Sequence, residues 1–178
     1  DLYVDVPTPD TLSPSGSAHW NQRVHPEFTP HKTLLNESTA QSLRKQGFTT
    51  GYLIADKGVF RGGSRLVNLN SGNDGELSTM LSTTVIAFEY GGWESVDYPG
   101  SLLGSIALIR QTLYDAQWYS QAKTIWNQYP AGNIKPQKDD ALEALSAHKS
   151  DPYIFYVNDD INALRSIKIS NEFKLKLW

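Results

Sequence analysis

From Asp139 to the last residue the chain changes its hydrophobic period again and again. "DDALEALSAHK" has helical spacing, "PYIFYV" is an unbroken apolar run, "DDINALRSIKISNEF" is again amphipathic and helical, and "KLKLW" alternates charged with apolar side chains. Helix, strand, helix, strand in close succession constrains the fold more than any other feature. Strands in that arrangement lie parallel and are joined by helical crossovers. The run at 152–157 has the composition of a strand covered on both faces.

The rest of the chain adds to this pattern. Asn36 is placed to cap a short helix, "ESTAQSLRKQG", and Gly47 stands where a helix-ending glycine belongs. "FTTGYLIAD" reads as a strand, "KGVFRGGSRLVNLNSGNDG" as a glycine-broken ribbon with a short strand, and "TMLSTTVIAFEY" as another strand. The clearest helix is "YPGSLLGSIALIRQTLYDAQWYSQAKTIWNQY". Pro99 and Ser101 mark its start, and Leu102, Ile106, Ile109 and Leu113 form one stripe along it. Residues 1–33 carry prolines and an "SPSGS" run and show no period, so they read as an irregular ordered loop segment ahead of an α/β unit at 34–178.

Bulk properties exclude some function classes. The 178 residues suit one domain, and 39% hydrophobic with 20% charged residues is a globular composition. A net charge of −3 with no basic run argues against nucleic acid as a partner. No stretch of about 18 apolar residues is present to span a bilayer. With no cysteine there is neither a disulfide nor a thiol nucleophile. That fits any compartment, a periplasmic or secreted one included. Asn36-Glu37-Ser38 matches a glycosylation triplet, a pattern common by chance. The start lacks an initiator Met and a signal peptide, and the end breaks off on a strand, so both ends read as cuts in a longer chain.

Few residues stand out as chemical. His19, His25, Glu27 and His31 fall within thirteen positions, but their spacing is that of no known metal site, and loop histidines bonded to backbone or water are the simpler reading. "FRGGSRL" sets Arg61 and Arg65 beside two glycines, a turn that could hold an anion or simply need positive φ. Arg110 lies within the long helix with Asp115 five positions on, too oblique for an ideal ion pair, so it is either buried with a partner or merely exposed. Asn158 and Asp159 follow the best strand, where α/β folds place ligands, although Asp159 or Asp160 equally suits a helix cap. Arg61, Arg110, Asn158 and Asp159 are therefore the substrate-side candidates. No catalytic residue and no metal ligand is identified.

Taken together, the motifs resemble a known family. Ser42–Thr50, "SLRKQGFTT", looks like the step into the second barrel strand of metal-dependent amidohydrolases. "GVFRGGSRLVNL", "YPGSLLGSIALIRQTLYDAQWY" and the tail from Leu142 are similar to the imidazolonepropionase-like bacterial branch of that superfamily. The likeness runs from about 16 to 178, and "LIRQT" is its most specific part. It implies a (β/α)₈ TIM barrel of about 250 residues or more, of which this chain would be a partial, internal fragment. It also implies a divalent metal such as zinc, held by a His-x-His on the first strand, a Lys or Glu and two His on middle strands, and a late Asp. No ligand transfers residue by residue, since "PYIFYVN" carries no histidine. Two functions follow from the resemblance. One is a fragment of a hydrolase of C–N bonds in amides or cyclic amides, acting on a small-molecule or peptide substrate and inactive in isolation. The other is a degenerate, non-catalytic barrel that binds or scaffolds. In either case the implied partner is the rest of the same polypeptide or another copy of the chain.

Overall fold

The computed structural model describes residues 3–8, 16–70, 83–91 and 97–178. It is a mixed α/β structure of two three-stranded sheets and four helices. Strand β1 (Tyr3–Val6) lies parallel to β2 (Thr50–Ala55), with Tyr3 opposite Tyr52 and Val6 opposite Ala55. Between them runs helix α1 (Glu37–Lys45). β2 also pairs antiparallel with β4 (Arg65–Asn68), which completes the first sheet in the order β1-β2-β4.

The second sheet has the order β3-β5-β6. β3 (Phe60–Gly63) runs antiparallel to β5 (Thr84–Ala87) with a register shift between Phe60 and Gly62. β5 is parallel to β6 (Tyr153–Tyr156), Thr84 facing Tyr153. Only Ser64 separates β3 from β4, so one stretch of chain serves both sheets. Because β3 and β4 oppose β5 and β2 respectively, β1, β2, β5 and β6 all point the same way. Helices α2 (Leu102–Gln128) and α3 (Asp140–Ala147) form the crossover from β5 to β6, and α4 (Asp160–Phe173) follows β6. Past α4, Lys174 takes a left-handed conformation (φ 55°). The stretch read as a last strand makes one parallel bridge, Leu177 to Tyr153, in place of a full ladder.

Local chemistry explains the helix boundaries. Asn36 accepts a hydrogen bond from the Ser38 amide (3.0 Å), Ser101 from Gly104 (3.2 Å), Asp139 from Leu142 (2.9 Å) and Asp159 from Asn162 (2.6 Å). Each satisfies an amide that has no partner within its helix. Gly47 (φ 93°) follows α1 as a left-handed terminator. On α2 the buried stripe is Leu108, Ile109, Leu113, Ala116 and Tyr119. It packs with Val59, Phe60, Ile86, Tyr153 and Phe173 into the main core. A second core unites Val4, Val6, Leu53, Val67 and Leu69 with Leu43 of α1.

The segment read as wholly irregular therefore contains a strand. Tyr3 and Asp5 are exposed while Val4 and Val6 are buried, and Pro7, which has no amide to pair, stands just beyond. Among the described residues no helix is long and apolar enough to cross a membrane.

Candidate functional site

Parallel strands bring their carboxyl ends to one edge, and chain leaving those ends supplies the polar groups. Here the ends are Val6, Ala55, Ala87 and Tyr156, followed by Thr8, Asp56, Glu89 and Asn158. β3 begins at the same edge, because it runs the opposite way. That direction delivers Arg61 to the edge.

Arg61 is 8% exposed, and each of its three side-chain nitrogens has a partner. Its Nε donates to the Gly58 carbonyl (3.2 Å) and its Nη1 to the Ala55 carbonyl (3.4 Å). Its Nη2 reaches Glu89 Oε2 (3.3 Å), and its guanidinium carbon stands 4.8 Å from the centroid of the Tyr156 ring. Glu89 also accepts from Arg23 Nη1 (2.7 Å) and from the Gly58 amide (2.8 Å). Two guanidiniums thus share one carboxylate, which leaves one uncompensated positive charge within this trio. Beside it, Asp56 accepts from the backbone amide and the hydroxyl of Thr8, both at 2.9 Å, tying the end of β1 to that of β2. Burial works against ionisation of Asp56, but the Thr8 bonds and nearby Lys57 outweigh it and hold its pKa below the ordinary value.

The backbone around Arg61 is held by close approach. Gly62 has φ +88°, and a Cβ there would stand 2.1 Å from the Phe28 carbonyl oxygen. Only glycine lets the 22–30 segment lie against β3, where Gly63 donates to Phe28 (2.8 Å) and His25 to Phe60 (2.9 Å). The same docking sets Arg23 within reach of Glu89. The paired glycines of "FRGGSRL" thus sit in a bulged strand that touches another backbone.

The other candidates from the sequence are not part of the Arg61–Glu89 network. Arg110 projects from α2 and pairs with Glu172 of α4 (2.8 Å), in the helical layer away from the strand ends. Asp159 caps α4 and binds both the amide and the side-chain nitrogen of Asn162 at 2.6 Å. Asn158 is exposed in the loop between β6 and α4. The three loop histidines are engaged separately. His25 bridges the Gln22 carbonyl and Glu27, His31 meets Thr33, and His19 is buried with Nδ1 accepting from the Asn21 amide. Among the described residues no three His, Asp, Glu or Cys side chains converge as a metal would need. The described residues do not fit the metal centre that the resemblance implies.

Glu89, Arg23 and Tyr156 were not singled out from sequence. A carboxylate directly after the apolar run "TTVIAF" was a usable signal for Glu89. Arg23 gave none, since nothing local ties it to a residue 66 positions away.

Comparison with known proteins yields a likeness at the level of fold. No protein-family model matches the sequence, and no curated protein matches it. Among solved structures, an amidohydrolase from Thermotoga maritima MSB8 is similar with a TM-score of 0.63 over 87% of this chain. The sequences are 17% identical, and the match spans 42% of that chain's length. The fold is amidohydrolase-like to that extent.

Proposed function

We propose that this chain is part of a (β/α)₈ barrel hydrolase of the amidohydrolase type, of the imidazolonepropionase-like bacterial branch, acting on C–N bonds of amides or cyclic amides. The edge bearing Arg61 is its substrate side. The observation that carries this reading is a buried arginine, clamped by Glu89 and Tyr156, at the carboxyl ends of parallel strands in a fold similar to that of an amidohydrolase. Such edges carry the ligand site in α/β folds. A guanidinium fixed by three hydrogen bonds and a ring contact keeps its remaining N–H donors in a set orientation, which suits a carbonyl or carboxylate of the substrate. Asn158 and Asp159 stand at the rim of the same edge. Metal ligands, if the activity depends on them, come from chain outside the described residues.

A second reading has its own support. Among the described residues no metal-ligand cluster forms, and β6 offers tyrosines where the resemblance would place a histidine. A non-catalytic barrel that binds or scaffolds accounts for both facts. The discriminating experiment uses the longest natural protein that contains this sequence. Hydrolase function predicts bound zinc, iron or manganese and metal-dependent turnover of a cyclic amide, with a loss of at least about tenfold in kcat/KM for Arg61→Lys. Metal-free material that no added metal activates would exclude the hydrolase and leave the scaffold.

A further inference from the structure

At the opposite end of β6, helices α2, α3 and α4 leave a cavity of about 380 Å³. Its size falls in the range of about 300–1,000 Å³ typical of small-molecule sites. Leu113, Leu145, Phe173 and Leu175 give it apolar walls. Tyr153 also lines it, 2% exposed, and its phenol has no hydrogen-bond partner among the described residues. A hydroxyl at a cavity wall that no protein group engages can exchange water for a ligand acceptor. Burial raises the Tyr153 pKa to about 12, so this hydroxyl stays a neutral donor at any physiological pH.

Charge narrows the ligand. Lys149 and Lys174 border the cavity, and neither forms an ion pair among the described residues. The bordering carboxylate, Glu172, is already engaged by Arg110 Nε (2.8 Å) and the Tyr114 hydroxyl (3.3 Å). The cavity therefore combines apolar walls, the Tyr153 phenol beside neutral donors of α2 such as Gln117 and Gln121, and two lysines that form no ion pair among the described residues. We propose that it is a binding site for a small carboxylate with an apolar body, separate from the Arg61 edge. Bound there, such a ligand would join α2, α3 and α4 at the foot of β6 and act on the stability of that layer.

The test is titration of the labelled full chain with octanoate, followed by NMR, with octylamine and octanol as charge controls. The methyl groups of Leu113 and Leu145 are expected to shift with octanoate and not with octylamine. Tyr153→Phe, which keeps the ring, is expected to weaken octanoate about fivefold. The double substitution Lys149→Ala, Lys174→Ala is expected to weaken it about tenfold. No shift at up to about 10 mM octanoate would overturn the proposal, as would equal binding of octylamine or octanol. Unchanged affinity in the double lysine variant would do the same. That variant touches only exposed side chains, so it decides the question even if Tyr153→Phe fails to fold.

Discussion

The guanidinium carbon of Arg61 stands 4.8 Å from the centroid of the Tyr156 ring, so a side chain from β3 closes over the end of β6 while its own Nη2 holds Glu89 beyond β5. The three strands of the second sheet are thereby linked by one residue at the carboxyl edge of β5 and β6. The attraction is partly that of a cation for a ring face and partly that of a charge-assisted hydrogen bond, and both strengthen as water is excluded.

Replacing Arg61 by Met should therefore cost about 2–3 kcal/mol in urea unfolding, since it takes the donor from the Gly58 and Ala55 carbonyls and leaves Glu89 to Arg23 and the Gly58 amide. Arg61→Lys should cost about 1–2 kcal/mol, because an ammonium keeps the charge but loses the planar fork. Combining Arg61→Met with Glu89→Gln should show a coupling of at least about 1 kcal/mol. Strict additivity would mean that the contact carries no energy of its own. By contrast, Arg110→Ala should change stability by no more than about 0.5 kcal/mol, as its pair with Glu172 is exposed to screening.

Two glycines with nearly the same φ make a controlled comparison. Gly47 (φ +93°) has open space where a Cβ would stand, whereas at Gly62 (φ +88°) a Cβ would meet the Phe28 carbonyl oxygen at 2.1 Å. Gly47→Ala should cost about 1 kcal/mol, the conformational term alone. Gly62→Ala should cost at least about 3 kcal/mol and should also increase hydrogen exchange at the Gly63 and His25 amides, whose bonds depend on that contact. Equal losses at the two sites would show that the backbone of 22–30 does not press on β3.

How far the sequence disclosed this arrangement depends on the range of the interaction. Helix ends were legible because their chemistry is local. Asn36, Ser101 and Asp139 each bond an amide two or three residues on, and Gly47 ends α1 at the next turn. β1 was not legible. Four residues give two periods of alternation, too few to stand out beside a proline-rich run, and the partner strand begins at Thr50. The Arg61 edge was half legible. "FRGG" advertised a special backbone, but its reason is the Phe28 carbonyl, and the Arg23–Glu89 pair joins segments that only the folded chain brings together.

The two loop histidines with shifted pKa values should give opposite pH effects. Burial dominates at His19, over the attraction of Asp139, Asp115 and Glu27, and lowers its pKa below 6.5. The unfolded chain then takes up a proton more readily, so this residue's contribution is complete above about pH 6.5 and is lost as pH falls. At His25 burial also opposes the charge, but Glu27 and the Gln22 carbonyl outweigh it and raise the pKa above 6.5. That contribution is complete below about pH 6.5 and fades as pH rises through the folded value. Ring-proton NMR titration should place the His19 midpoint below 6.5 and the His25 midpoint above it. A His19 midpoint above 6.5 would mean that its Nε2 finds an acceptor in solution that the buried site does not offer.

Asp159 separates a structural role from a chemical one. Its two carboxylate oxygens take the amide and the side-chain nitrogen of Asn162, so Asp159→Ala should destabilise by about 1 kcal/mol, the usual cost of a lost cap. Asn caps nearly as well as Asp, so Asp159→Asn should leave the melting temperature within about 2 °C of wild type. If Asp159 only caps α4, ligand binding or turnover survives that substitution unchanged. If its charge also acts on a ligand at the strand ends, Asp159→Asn loses function while it keeps stability. A variant that falls in stability and activity together would instead show that the Asn162 pairing needs the full carboxylate charge, and would assign Asp159 to the helix alone.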